Sequence, residues 1–380
     1  MTDPRTLFIA GASTRAAAYS ALRAGLKPLC ADLFADRDLK AVAEVRRISL
    51  DPPTLDIAAN LPASARWIYT GPFENYPGLV DQIRSTLPLW GTCGANLKAA
   101  RDPVRLARSL KRAGLSTPEL RPDPAGLPRD GSWLMKPIAS GGGRNIEPWA
   151  AWSRLSDDPV YFQERIPGPS YSALYLGSLG RAALIGISRQ LLGLGGQPFA
   201  YRGGIGPVRL PRSFEAQLAR IGDRLADEFR LIGLFGVDFI AHAGRAWVLE
   251  LNPRYTASVE ILELASRSPL LLEHGRVCDI EMSGDGGTGV EDCRGEPCRI
   301  VGKRILYATR RLTAPDLSIQ PFVKDDPYRV PEIADVPDEG TEIEIGEPVL
   351  TVFAEGNRPG DCAARLRLDV NRWRRRLGLV

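Results

Sequence analysis

The stretch LFGVDFIAHAGRAWVLELNPR, residues 234–254, decides how this chain is read. Two runs rich in apolar residues, 234–241 and 245–251, are parted by Ala243-Gly244, which predicts an antiparallel hairpin. Alternate side chains of a strand share a face, so Glu250 and Asn252 point one way and Leu249 and Leu251 the other. A three-residue turn centred on Gly244 sets Asp238 opposite Glu250. Two carboxylates and an amide oxygen then share one side of a ribbon. Hard oxygen ligands of this kind suit Mg²⁺, which keeps waters and takes its remaining ligands from phosphates. Without a cation the two carboxylates repel each other. Taken alone, the alternation also describes a ribbon with a solvent-facing polar side, and the hairpin leaves both readings open.

Upstream, WLMKPIASGGGRNI (133–146) places Lys136 on a short apolar strand. Ser140-Gly141-Gly142-Gly143-Arg144 follows, a loop with little side-chain bulk whose N–H groups can cradle phosphate oxygens. It is not a Walker A loop, since GxxxxGK[ST] is absent. A plain flexible hairpin is the other reading. The segment YFQERIPGPS (161–170) reads as a strand ending at a Pro-Gly turn and says little in isolation.

Further out, 6–11 (TLFIAG) reads as a buried strand, 14–25 as a helix of small residues, 27–33 as the next strand, and 66–71 continues the pattern. Strand–helix–strand spacing of this length predicts parallel pairing and an α/β sheet. The first turn, Gly11 to Arg15, lacks the GxGxxG of a dinucleotide site. Its N–H groups, with Ser13 and Arg15, offer a place for a carboxylate or phosphate, or simply a capped helix. Asp102-Pro103 opens a helix that stops at Gly114. Phe214, Leu218, Ile221, Leu225 and Phe229 keep helical spacing over 213–229. The Gly-rich 281–298 reads as a loop or linker, and the tail as short strands with a final helix at 365–378.

Composition narrows the function classes. A net charge of +4 is too weak to argue for nucleic acid without a patch. The arginines of RLRLDVNRWRRRLG (365–378) read as the wet face of a helix buried through Leu366, Val370 and Trp373. No run approaches the ~20 apolar residues that span a bilayer. The N-terminus reads as a first strand, not a signal peptide, so a cytoplasmic protein is expected. Six cysteines without a CxxC pair and two histidines make a zinc site improbable. Free thiols are expected, with Cys293 and Cys298 close enough in sequence to pair if oxidised.

In order and spacing, the three segments resemble the ATP-grasp superfamily: a strand Lys with a Gly-rich loop, a QE-x-I-x-G hinge, and a distal acid ~12 residues before E-x-N-P-R. The matching residues are Lys136, 140–144, Gln163-Glu164-Arg165-Ile166-Pro167-Gly168, Asp238, and Glu250-Leu251-Asn252-Pro253-Arg254. The resemblance covers roughly 5–265. It implies an α/β and α+β fold with a Rossmann-like domain at 1–100, a two-subdomain ATP-grasp module at 101–280, and a small β-rich cap with a C-terminal helix at 299–380.

It also implies roles. Lys136 binds the α/β-phosphates, and Ser140, Gly141, Gly142 and Gly143 fold over the β/γ-phosphates. Backbone atoms of Gln163, Glu164, Arg165 and Ile166 read adenine, with Phe162 and Ile166 near the ring. Asp238, Glu250 and Asn252 hold one or two Mg²⁺ (or Mn²⁺), and Arg254 stabilises the transferred phosphoryl. Two positions depart from the pattern: Ser170 stands where many members carry a ribose-binding Glu, and Pro103 where many carry a Lys, with Arg101 and Arg105 nearby. The implied activity is an ATP-dependent ligase that makes an acyl-phosphate from a small carboxylate and joins it to an amine or thiol. Nucleic acid and membrane are not implied as partners, and a homodimer is compatible. Arg202, within 201–207, is a candidate anion clamp on the acceptor side. A carboxyphosphate-forming, biotin-carboxylase-like enzyme and a non-catalytic nucleotide-binding module are the alternatives.

Overall fold

The computed structural model describes residues 5–50, 61–178, 180–283, 299–319 and 322–379. Thr6–Gly11 pairs in parallel with Lys27–Asp32 on one side and Arg66–Tyr69 on the other, and Glu44–Arg47 closes the edge. Leu7 and Ile9 enter one core cluster while Phe8 and Ala10 enter another, so this strand is apolar on both faces. That is the pattern of a parallel sheet covered on both sides.

An eight-stranded sheet forms the body. In spatial order its strands are Arg245–Asn252, Gly233–His242, Ser170–Ser178, Arg181–Leu194, Gln197–Gly206, Ile300–Tyr307, Pro348–Gly356 and Ile333–Ala334. The helix Arg212–Phe229 covers one face through Phe214, Leu218, Ile221, Leu225 and Phe229, as their spacing predicts. Val237, Phe239 and Leu251 meet it from the hairpin. On the other face Leu174, Leu176 and Leu234 pack with Leu7, Ile9 and Ala17 of the N-terminal layer.

The C-terminal segment, read as a small β-rich cap with a final helix, carries its two long strands on the central sheet. Ile300–Tyr307 pairs with Gln197–Gly206, and Pro348–Gly356 pairs with Ile300–Tyr307, so both strands extend the central sheet. A free strand edge leaves N–H and C=O groups unpaired, and this extension satisfies them. Helix Pro359–Arg376 seals the added strands with Cys362, Leu366, Val370 and Trp373. Its Arg365, Arg367, Arg372, Arg375 and Arg376 are exposed, as the wet-face reading requires. A four-stranded antiparallel sheet, ordered Leu120–Arg121, Val160–Glu164, Asp130–Pro137 and Glu147–Ala150, stands against the body. The Asp102 cap is formed, its carboxylate accepting from the N–H groups of Val104 and Arg105 at 2.9 and 3.1 Å.

Most of 281–298, with Cys293 and Cys298, lies outside the described residues. Cys30, Cys93 and Cys362 are free thiols. No helix among the described residues is long and apolar enough to cross a membrane.

A buried charge junction ties the layers together and removes one expectation. Arg15 grips Glu260 with both terminal nitrogens and Asp335 through Nε at 2.8 Å. Lys303 Nζ reaches Glu260 Oε2 at 2.8 Å. Thr14 donates its N–H and hydroxyl to Asp32 at 2.6 and 2.8 Å. The turn from Gly11 to Arg15, a candidate anion cradle in the sequence, therefore has Thr14 and Arg15 already engaged by the protein's own carboxylates. Glu260→Ala would leave Arg15 and Lys303 buried beside a lost counter-charge and should cost about 3–5 kcal/mol. Urea denaturation checks this; a cost below ~1 kcal/mol would show that the junction contributes little.

Candidate functional site

The hairpin brings Asp238 opposite Glu250 by a route the sequence did not indicate. The turn has two residues, Ala243 and Gly244, both at positive φ (49° and 73°), so His242 pairs with Arg245. Continued without interruption, that register would set Asp238 against Leu249. A bulge at Leu249 inserts one residue, after which Asp238 faces Glu250 and Gly236 faces Asn252. Leu251 is buried in the core as expected, but Leu249 lines the cleft instead of turning away. Asn252 Nδ2 lies 3.3 Å from Asp238 Oδ2.

These residues line a cavity of about 490 Å³ between the hairpin and the four-stranded sheet. Lys136 enters from the facing strand, 5% exposed, its Nζ 3.1 Å from Gln163 Oε1 and 5.6 Å from the Tyr161 ring centroid. Burial works against the lysine's charge, but Tyr161, Glu250 and Asp238 outweigh it and raise its pKa. Gln163 is a buried side chain that orients Lys136 and donates to Leu249 O at 3.4 Å. Glu164, Arg165, Ile166 and Ser170 also line the cavity, and Ser170 donates to Gln190 Oε1 at 2.5 Å. Phe162 is placed differently from its expected position near a bound ring. Fully buried, it packs with Met135 and Trp149 behind the sheet, because it alternates with Tyr161 and Gln163. Leu134, Ile166, Ile240 and Leu249 supply the apolar walls instead.

The Gly-rich loop is seated on the hairpin formed by Arg181–Leu194 and Gln197–Gly206. Gly142 O accepts from Tyr201 N at 2.7 Å. Gly143 has φ +68°, and a Cβ there would stand 2.1 Å from Phe199 O, so only glycine fits. Gly142 and Gly143 line the cavity; Ser140 and Gly141 sit further out, with Ser140 O bonded by Asn75 and Arg101. Arg202 is not brought in: its Nη1 donates to Gly193 O at 2.6 Å, and it does not line the cavity.

Of two partners, Glu74 was missed in the sequence, and Arg101 was named only as a neighbour of Pro103. Glu74, 1% exposed, accepts from Arg254 Nε at 2.6 Å and fixes that arginine beside Asn252. Arg101 donates to Glu250 Oε1 at 2.9 Å and to Asn75 Oδ1 at 3.0 Å. Glu74 and Asn75 follow shortly after the strand Arg66–Tyr69. Polar residues beyond the carboxyl end of a parallel strand are the signal that could have found them.

The two carboxyls are driven apart electrostatically. Burial first, then Glu250, pushes Asp238 up to about 6, against hydrogen bonds from Ser172 and Gln190. Glu250 is also raised by burial, but Arg101, Lys136 and Arg254 outweigh this and lower it. An all-oxygen donor set of Asp238, Glu250 and Asn252, with one carboxyl destabilised by the other, fits a divalent cation of the Mg²⁺ type.

Comparisons with known proteins agree with this fold. Residues 100–258 match the ATP-grasp domain family. An uncharacterized protein of Methanocaldococcus jannaschii is 24% identical over 301 residues, covering 74% of this chain and 68% of its own length. The biotin carboxylase domain of Hydrogenobacter thermophilus 2-oxoglutarate carboxylase, solved with MgADP and bicarbonate, superposes with a TM-score of 0.69 at 12% identity, covering 96% of this chain and 89% of that one. The L-amino acid ligase of Bacillus licheniformis gives 0.63 at 15% identity, covering 98% of each.

The raised Asp238 carboxyl has a pH consequence for the metal-free protein. The folded state binds this proton more tightly than the unfolded state, where the pKa is near 3.8. The contribution of Asp238 to stability should therefore fall as pH rises from about 4 to about 6, by about 1–3 kcal/mol, alongside a like contribution from Asp38, raised to about 6, and an opposite one from His274, lowered to about 4 by burial. Asp238→Asn should remove that share, so the wild-type and variant curves should diverge across this range. Chemical denaturation in chelator across this range is the measurement, and parallel wild-type and variant curves would contradict the assignment.

Proposed function

We propose that this chain, whose residues 100–258 match the ATP-grasp domain family, is a ligase using ATP with Mg²⁺ or Mn²⁺. It would phosphorylate a small-molecule carboxylate and join the acyl group to an amine or thiol, releasing ADP and phosphate. The observation that supports this reading best is the ribbon of Asp238, Glu250 and Asn252 facing buried Lys136 across one cavity, with Arg254 at its end.

Each residue then has a task. Backbone groups of 163–166 hold the base between Leu134, Ile166, Ile240 and Leu249. Lys136, kept charged and aimed by Gln163, grips phosphate oxygens. Gly142 and Gly143 let the loop backbone close over them. Asp238, Glu250 and Asn252 would hold the divalent cation, which when bound neutralises charge on the phosphates. Arg101 covers Glu250, so that this carboxylate stays ionised. Arg254, pinned by Glu74, faces the terminal phosphoryl. A carboxylate oxygen of the substrate attacks the γ-phosphorus, the bond to ADP breaks, and an acyl-phosphate forms. An amine then attacks the acyl carbon, phosphate leaves and the nitrogen loses a proton. Positioning and fixed charge supply most of the rate.

Glu250→Gln should lower kcat about 10²-fold or more, since phosphoryl transfer relies on several kcal/mol from this clamp. Unchanged turnover would remove Glu250 from the chemistry. The phosphoryl route has its own test. With ¹⁸O in the substrate carboxylate, one label should appear in released phosphate and ADP should be the nucleotide product. Label in AMP would mean adenylation. ADP release that depends on bicarbonate and on no organic acid would place the protein among carboxyphosphate-forming enzymes.

A further inference from the structure

A second cleft opens beside the first. It lies between helix Pro103–Arg112 and the same face of the four-stranded sheet that carries Lys136, and its volume is about 970 Å³. That is the upper end of the ~300–1,000 Å³ typical of small-molecule sites. Val104 and Ala107 line it from the helix; Leu120, Ile138, Val160 and Tyr161 line it from the sheet. Val104 and Ile138 are each 46% exposed, so large apolar side chains on both walls face solvent.

The rim has one sign of charge. Lys98, Arg108, Arg112 and Arg121 all line the cleft and are exposed, and no ion pair to any of them is found among the described residues. Lys111 is paired, with Glu119 at 2.8 Å. Asp102 is occupied as the helix cap and Glu74 by Arg254. A solvated helix face would explain the cations, and a subdomain gap would explain the volume. Neither explains apolar walls and unpaired cations enclosing one space.

The inner end decides what the cleft serves. Arg101 and Tyr161 line it, and both also border the reaction centre: Arg101 through Glu250 at 2.9 Å, Tyr161 through Lys136 at 5.6 Å. The two clefts share no lining residue, and Arg101 and Tyr161 stand between them, each in contact with the charged cluster. We infer that this cleft holds the body of the substrate, an organic anion with an extended apolar part and at least one further negative charge, whose reacting end reaches the centre past Arg101. This rests on the ligase reading, to which it adds a substrate class.

Isothermal titration with phenylsuccinate, which joins an apolar ring to two carboxylates, tests it on the full chain saturated with Mg²⁺ and the β,γ-imido analogue of ATP. The phenyl-bearing acid should bind at least about tenfold more tightly than acetate, and 4-phenylbutylamine should not bind. Val104→Asp and Arg108→Glu should each weaken the acid at least about tenfold and leave the analogue's affinity unchanged. Equal affinity in wild type and variants would overturn the assignment. So would loss of the acid when the analogue is added, since the cleft would then be a gap that nucleotide closure shuts. An acidic peptide that binds where the acid does not would overturn it in favour of a protein partner. Probe binding without ADP release from any acid would support the cleft and count against the ligase reading. ADP release from acetate-sized acids without probe binding would do the reverse.

Discussion

The site depends on the unfavourable placement of Asp238 directly across from Glu250. Two carboxylates at a non-adjacent but facing pair of strand positions repel each other, and partial burial strengthens that repulsion. The chain answers with three cations from three different parts of the fold: Arg101 before the helix, Lys136 from the facing sheet, and Arg254 just beyond the hairpin. All three act on Glu250, while at Asp238 hydrogen bonds and the charge of Arg254 do not offset burial and Glu250, and its pKa is raised. One carboxylate is thus satisfied by the protein and the other remains receptive to a cation. The same asymmetry fixes the relation of the layers, because the facing sheet and the N-terminal layer each contribute a charge to one point.

Arg254 shows how that point reaches into the N-terminal layer. Its guanidinium lies on Gly71, where a Cβ would stand 3.1 Å from Nη2, and its Nε bonds buried Glu74. Deeper in the interface, Arg15, Glu260, Asp335 and Lys303 bind the first helix, the helix Ala257–Ser266 and the C-terminal strands. Buried ion pairs are modest sources of stability, because desolvation offsets much of the attraction, but they penalise any other arrangement of the charges. Here they make the relative placement of three sequence-distant segments hard to alter, and the helix Ala257–Ser266 borders the candidate site through Ala257 and Ser258.

Legibility followed locality. The apolar spacing of Phe214, Leu218, Ile221, Leu225 and Phe229 showed the helix, and the alternation at Glu250 and Asn252 showed the ribbon, because each pattern is contained within one element. The bulge at Leu249 was not legible. The assumed three-residue turn and the real two-residue turn plus bulge place Asp238 opposite the same partner, so the pairing came out right with the wrong construction. Phe162 was misplaced for a similar reason: the hinge motif was read as a unit, while strand parity sends Phe162 to the core and leaves Tyr161 and Gln163 toward the cleft. Arg15 looked available only because Glu260, some 245 positions away, could not be foreseen as its partner.

Glu74 and Arg101 illustrate the same limit from the functional side. Neither belongs to a dense motif, and each matters through a partner far along the chain: Arg254 for Glu74, Glu250 for Arg101. A motif search finds side chains that touch a ligand, because those must recur at fixed spacing along one element. It passes over side chains that orient them, whose spacing is set by the tertiary fold. The site therefore has two kinds of information in it. The oxygen ligands and the lysine are encoded locally in strands, whereas the charge balance that makes them useful is encoded in how the N-terminal layer, the facing sheet and the hairpin meet. Arg101 belongs to both, since it neutralises Glu250 and also forms the wall between the reaction centre and the apolar cleft. A residue so placed ties the charge of Glu250 to the wall of the neighbouring apolar cleft.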